Sequence, residues 1–290
     1  SPMNADPAPD AVDQHRANAG ARTWLGLSIA AAALAFVGSV VGLWVDGIYD
    51  SLTPVFLFQA LAQDLINTVV VAPLIVLCAI LALRGSYRAG LLCLGAVAFS
   101  VYNYVIYTFS IPFGPLFPLW VVVLGLSLFA LIGGLVSIDR ESAVVNFAHN
   151  RAAVVAGWTL LVLAGVFGLL WLSEDLPALL NGVRPQSVID MALPTNPVHI
   201  LDYVFFLPAA VWTGVGLLRR RVYSYPIAAA VLVFLLLTCL PILTTPFVQL
   251  SLHEPASWGV MIPIGIVAAV LVGVLSWFLA TLQPERPGRP

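Results

Sequence analysis

The sequence predicts an all-α integral membrane protein, with eight transmembrane helices arranged as two parallel four-helix repeats. Three observations lead there. The chain is 61% hydrophobic and only 9% charged, with a mean hydropathy of +1.00, where soluble domains carry roughly 25% charged residues. Its apolar runs reach about 20 residues, the length that crosses a bilayer. Landmarks of the first half return in the second at a nearly constant spacing.

Residues 1–21 are rich in Ala, Asp, Asn and Pro and lack an apolar period, so a disordered tail is expected. Its acidity and length do not fit a signal peptide, and no cleavage is expected. The first repeat is read over residues 22–150, with spans at 24–45, 54–83, 89–110 and 115–137. The second is read over 151–282, with spans at 152–173, 197–218, 226–247 and 259–282. Residues 283–290 form a polar C-terminal tail.

Arginine asymmetry sets the expected orientation. All twelve basic residues are Arg. Eight spans put both termini on one side, with every arginine except Arg184. That side is read as the cytoplasm of a bacterial cell and the membrane as the inner, or plasma, membrane. An Arg-only basic set in an Ala, Val, Gly and Pro rich chain fits a GC-rich genome. The absence of Lys excludes a retinal-type Schiff base. Cys78, Cys93 and Cys239 fall singly in apolar segments, so thiol redox chemistry is not expected. No basic patch or phosphate loop points to nucleic acid.

The repeat rests on ordered landmarks. Gly47 and Gly182, Pro73 and Pro208, and Arg84 and Arg219 all differ by 135 positions. Pro112-Phe113 returns as Pro246-Phe247, and the pair Gly114 and Pro118 as Gly259 and Pro263. An even number of spans per half makes the repeats parallel, related by an axis along the membrane normal. That axis is expected to bring the second and sixth spans face to face. Asp64 then aligns with His199, and Asn67 with Asp202. The second half also carries an outer-loop insertion containing His253 and Glu254.

Depth gives these polar residues meaning. Asp64 and His199 each lie 20 residues from the inner arginine, about 30 Å along a helix and so near the outer interface. Asn67, Asp202 and Asn103 sit somewhat deeper. Gln59, Gln63 and Asn67 share one helical face, as do His199, Asp202 and Tyr203. The expectation is a polar basin opening outward between the second, third and sixth spans. It would bind or act on a lipid or other amphiphilic small molecule. His199 is a candidate base oriented by Asp202, with Asp64 a candidate acid across the cleft. Gln63, Asn67, Asn103, Tyr107, Tyr203, His253 and Glu254 are candidate ligand contacts. A short helix from Asp175 to Gly182 is expected to roof the basin.

No metal-ligand spacing and no nucleophile elbow is present, so no metal and no cofactor is expected. Membrane lipids and an amphiphilic ligand are the expected partners. The alternatives are a transporter of a hydrophobic substrate, and a non-enzymatic sensor or accessory subunit. For the last, Gly38 and Gly42 permit close helix packing.

Overall fold

The computed structural model describes residues 9–142 and 149–282. In the first half, α1 (Pro9–Trp44) is followed by α2 (Pro54–Ile66), which passes through a π turn (Asn67–Val71) into α3 (Ala72–Leu83). Then come α4 (Tyr87–Ser110) and α5 (Phe117–Ser142). The second half has α6 (Arg151–Leu180), the short α7 (Gln186–Asp190), and α8 (Pro197–Leu201), which passes through a π turn (Asp202–Phe206) into α9 (Leu207–Leu218). It closes with α10 (Ser224–Ser251) and α11 (Met261–Thr281). Taking α2–α3 and α8–α9 as single spans, eight helices are long and apolar enough to cross a membrane among the described residues.

Local chemistry fixes four of the helix starts. Thr53 and Asn196 cap α2 and α8, each with proline as the first helical residue. Ser86 and Asn150 cap α4 and α6. Two boundaries differ from expectation. The helix of α1 begins at Pro9, so residues 9–21 are helical rather than a disordered tail. Their sequence has four alanines and no proline after the first position, where a helix tolerates it. Residues 1–8 and 283–290 lie outside the described residues. The helix of α6 runs on through Pro177 to Leu180, so the separate surface helix expected from Asp175 is the end of this span. It closes at Gly182, whose φ of +66° suits glycine, with the Val183 N–H returning to the Ala178 carbonyl at 3.0 Å.

The two π turns lie 135 positions apart, and each is followed at its second residue by proline, Pro73 or Pro208. A proline ring collides with the carbonyl four residues earlier in an α-helix. The wider turn moves that carbonyl aside, and Asn67 and Asp202 each accept from the N–H five residues on. Both spans end alike as well. Gly85 and Arg220 take positive φ, and the N–H groups of Ser86 and Arg221 reach back to the Leu81 and Gly216 carbonyls.

The centre of the bundle is the crossing of α4 and α10. A Cβ on Gly95 would lie 2.6 Å from the Ala230 carbonyl oxygen, so only glycine permits this approach. One turn outward, the Phe99 and Phe234 rings meet edge to face at 6.2 Å. Gly95 and Ala230, like Phe99 and Phe234, differ by 135 positions. The second and sixth spans therefore do not face each other. Instead α2 packs on α10 and α8 on α4, with the central pair between them. Gly95 decides this, since its missing Cβ leaves room for the Ala230 carbonyl and Val233 of α10.

Around this centre, α1 packs on α3 and α5, and α6 on α9 and α11. The Gly38 and Gly42 positions serve packing within the chain. Gly38 lies under Leu119 of α5, and Gly42 leaves room for the Asp64 carboxylate and the Tyr49 hydroxyl. Large apolar side chains stand exposed on the outward faces, among them Val69, Phe129, Leu169 and Ile262. Exposed apolar surface of this extent marks a face that meets a membrane or another protein.

Candidate functional site

A cavity of about 490 Å³ opens at the outer end of the α4–α10 crossing. That volume suits a ligand of drug size. Phe99 forms its floor, and Tyr102, Asn103, Ile106 and Tyr107 of α4 form one wall. Thr238, Pro241, Ile242 and Thr245 of α10 form the opposite wall, and α2 adds Gln59 and Gln63. Trp171 and Glu174 at the end of α6 complete the ring, together with His199.

The loop before α8 folds back over the opening. Its Ser187, Met191 and Asn196 line the cavity. Met191 and Leu193 are buried in the apolar cluster of Phe56, Tyr104 and Tyr107 of the first half. The Ser187 N–H donates to the Glu174 carboxylate at 2.8 Å, and Asn196 donates to the Ser187 hydroxyl at 3.0 Å. On the far side, Gln249 clamps Ser257, accepting from its N–H at 2.8 Å and donating to its hydroxyl at 3.2 Å.

The four residues expected to converge do not share one space. Asp64 is buried within the first half and accepts from the Tyr49 hydroxyl at 2.6 Å and the Tyr107 hydroxyl at 2.9 Å. Burial pushes the Tyr49 phenol far above its ordinary range, and the adjacent Asp64 carboxylate adds to the shift. Tyr49 is thus a fixed proton donor. Asn67 accepts from Gln63 at 3.0 Å and donates to Ser39 of α1 at 3.3 Å. Asp202 lies on the other side of α4, accepting from the Tyr102 hydroxyl at 2.9 Å and the Trp171 indole at 2.7 Å.

The His199–Asp202 pairing expected from their spacing is also absent. The His199 ring stacks on Trp171 at 4.3 Å, and its Nδ1 faces the Asp175 carboxylate at 3.0 Å. Tyr203 donates to the same carboxylate at 3.0 Å. Glu174 approaches the Nε2 side at 3.9 Å. The histidine thus pairs with the acid of α6, while the Asp202 carboxylate is held by Trp171 and Tyr102.

Two aspartates therefore stand behind the aromatic wall and hold it. Asp64 fixes Tyr107, while Asp202 fixes Tyr102 and Trp171. Neither lines the cavity, nor do Asn67 and Tyr203. His253 and Glu254 are exposed on the turn after α10, outside the cavity. Of the residues singled out from sequence, Gln59, Gln63, Asn103, Tyr107 and His199 reach it. The wall from α10 and the contributions of Trp171, Glu174 and Gln249 were missed. Thr238 and Thr245 back-bond to their own helix and give no sequence signal. Gln249, the amide at the outer end of an otherwise apolar span, did.

Four buried side-chain groups lack a hydrogen-bond partner among the described residues, on Asn103, Thr108, Thr213 and Ser224, and of these only Asn103 belongs to the cavity lining. Asn103 lines the cavity, and its side-chain amide nitrogen is buried and has no hydrogen-bond partner. A buried unpaired donor of this kind costs about 1–3 kcal/mol, so it favours an acceptor brought by a ligand. Among the described residues, no three His, Cys, Asp or Glu side chains gather closely enough to hold a metal ion.

The fold and site define an all-α protein with eight membrane-length helices and a cavity walled by aromatic and amide side chains. Comparison with protein-family models, with curated proteins and with solved structures finds no match.

Proposed function

We propose that this is a polytopic protein of a bacterial inner membrane, with both termini cytoplasmic, whose outward-opening cavity binds a lipid or other amphiphilic small molecule. The buried, unpaired amide of Asn103 carries this reading. It favours a ligand whose polar group accepts a hydrogen bond and whose apolar part lies between Ile106, Pro241 and Ile242. The arginine asymmetry supports the orientation.

Two parallel four-helix repeats are the architecture that best accounts for the cavity. Asn103 and Thr238, like Ile106 and Pro241, are 135 positions apart and both line it. The cavity would then sit on the pseudo-two-fold axis. The second half supplies more of the polar lining, among it Glu174, Ser187, Asn196, His199 and Gln249, so an amphiphile would bind in one orientation. In this reading Asp64 and Asp202 are positioning residues for the aromatic wall rather than an acid and a base, and His199 is a wall residue locked by Trp171 and Asp175.

The test is the content of the purified protein. Small molecules extracted from wild type and from Asn103→Leu, both in mild detergent, are compared by mass spectrometry. A discrete species present in wild type and lost from the variant is expected. Identical extracts would remove the proposed site. A transporter of a hydrophobic substrate is the second reading. It is favoured by the two proline-associated π turns at corresponding positions, since Pro-interrupted helices at matching places of the two halves point to the binding site of repeat-built transporters.

A further inference from the structure

We propose a second ligand site at the opposite, arginine-rich end of the bundle: a cleft that takes the phosphate headgroup of an anionic phospholipid. The cleft has a volume of about 500 Å³ and lies along α9, between its last turn and the turn that leads into α10. Arg219 and Arg221 line one end, and Pro208, Val211, Trp212 and Val215 run away from them along the helix. The Trp212 ring, 54% exposed, stacks on Tyr223 at 4.2 Å with an interplanar angle of 18°. A cationic end thus adjoins an apolar, lipid-facing wall, as the phosphate and the first part of an acyl chain require. Guanidinium groups suit phosphate oxygens because they donate in a planar fork.

Arginines at this end of a span follow the positive-inside bias, but that bias does not build a cleft between them. Among the described residues, no carboxylate forms an ion pair with Arg219 or Arg221. The first half shows that the fold does not need them. At offset 135, Ser86 stands for Arg221, Leu77 for Trp212 and Arg88 for Tyr223. There Arg88 is used otherwise, donating to the Ala280 and Leu282 carbonyls at the end of α11. The tight turn carries Gly85 at φ +94° in the first half and Arg220 at φ +58° in the second. A non-glycine residue is disfavoured in that region. The second half therefore keeps a run of three arginines where Arg-Gly-Ser closes the same turn without strain.

The experiment uses the full chain in phosphatidylcholine nanodiscs doped with lipid brominated on its acyl chains. Quenching of Trp212 is read as the difference between wild type and Trp212→Phe. Brominated phosphatidylglycerol is expected to quench this component more strongly than brominated phosphatidylcholine. The Arg219→Gln/Arg221→Gln double variant should weaken the phosphatidylglycerol effect by about thirtyfold, while Arg84→Gln in the first half should leave it unchanged. Both sets of arginines are exposed, so these variants are expected to melt like wild type. Equal quenching by the two lipids would overturn the assignment, as would an equal loss in Arg84→Gln. Loss of the quenching on addition of inorganic phosphate would assign the cleft to a free anion and overturn the lipid.

Discussion

Replacing Asp64 by asparagine separates a structural from a catalytic role for the buried carboxylate. Asp64 accepts two phenol hydrogen bonds, from Tyr49 at 2.6 Å and from Tyr107 at 2.9 Å. Asparagine keeps one acceptor oxygen and turns the other into a donor. Tyr107 can absorb the change, because its hydroxyl also reaches the Ala60 carbonyl at 3.2 Å and its oxygen can accept from the new amide. One bond is weakened rather than orphaned, a loss of about 1.5 kcal/mol. Leucine at 64 removes both acceptors and leaves the Tyr49 hydroxyl buried without one, a loss of about 3 kcal/mol. For a chain of this size these correspond to melting temperatures lower by about 3 °C and about 6 °C. Cys78, Cys93 and Cys239 are free and buried, so a thiol-reactive dye reports unfolding directly. Cavity occupancy by the extracted small molecule should survive Asp64→Asn. Unchanged melting together with an empty cavity would refute the positioning role and restore the acid–base one.

Asn103→Leu should behave in the opposite way, melting at or slightly above wild type because no internal hydrogen bond is lost, while the extracted ligand disappears. Gly95→Val places a side chain against the Ala230 carbonyl and Val233, and should cost about 3 kcal/mol, read by the same thiol assay; wild-type melting would mean that α4 and α10 do not cross so closely. Tyr49 links folding to alkaline pH. Its phenol pKa is raised in the folded state, so its contribution is complete below the unfolded value of about 10 and is lost as pH rises above it. Tyr49→Phe should flatten the fall in stability above about pH 10, and an unaltered alkaline limb in thermal melts would contradict the burial of that hydroxyl.

The spans were legible in the sequence because a bilayer imposes a length and caps impose ends. The second and sixth spans begin at Pro54 and Pro197, and end at Leu83 and Leu218, as their Pro, Asn and Arg markers indicate. The end of α6 was not legible. Glu174 and Asp175 look like an interface that stops a helix, yet they bond to Ser187 and His199 and the helix continues. Prolines 73 and 208 were readable as matching landmarks, but the π turns beside them were not, since a widened turn depends on backbone geometry that residue identity does not state. The polar residues worth attention were also visible, because amides and acids are rare in such a chain. Their partners were decided by the tertiary structure alone. Spacing placed His199 with Asp202, whereas helix packing gave His199 to Asp175 and Asp202 to two aromatic rings. The cavity itself arises where the glycine of α4 lets two helices meet closely at their centre, with side chains from α2, α4, α6, α8 and α10 and from two connecting segments lining the space beyond.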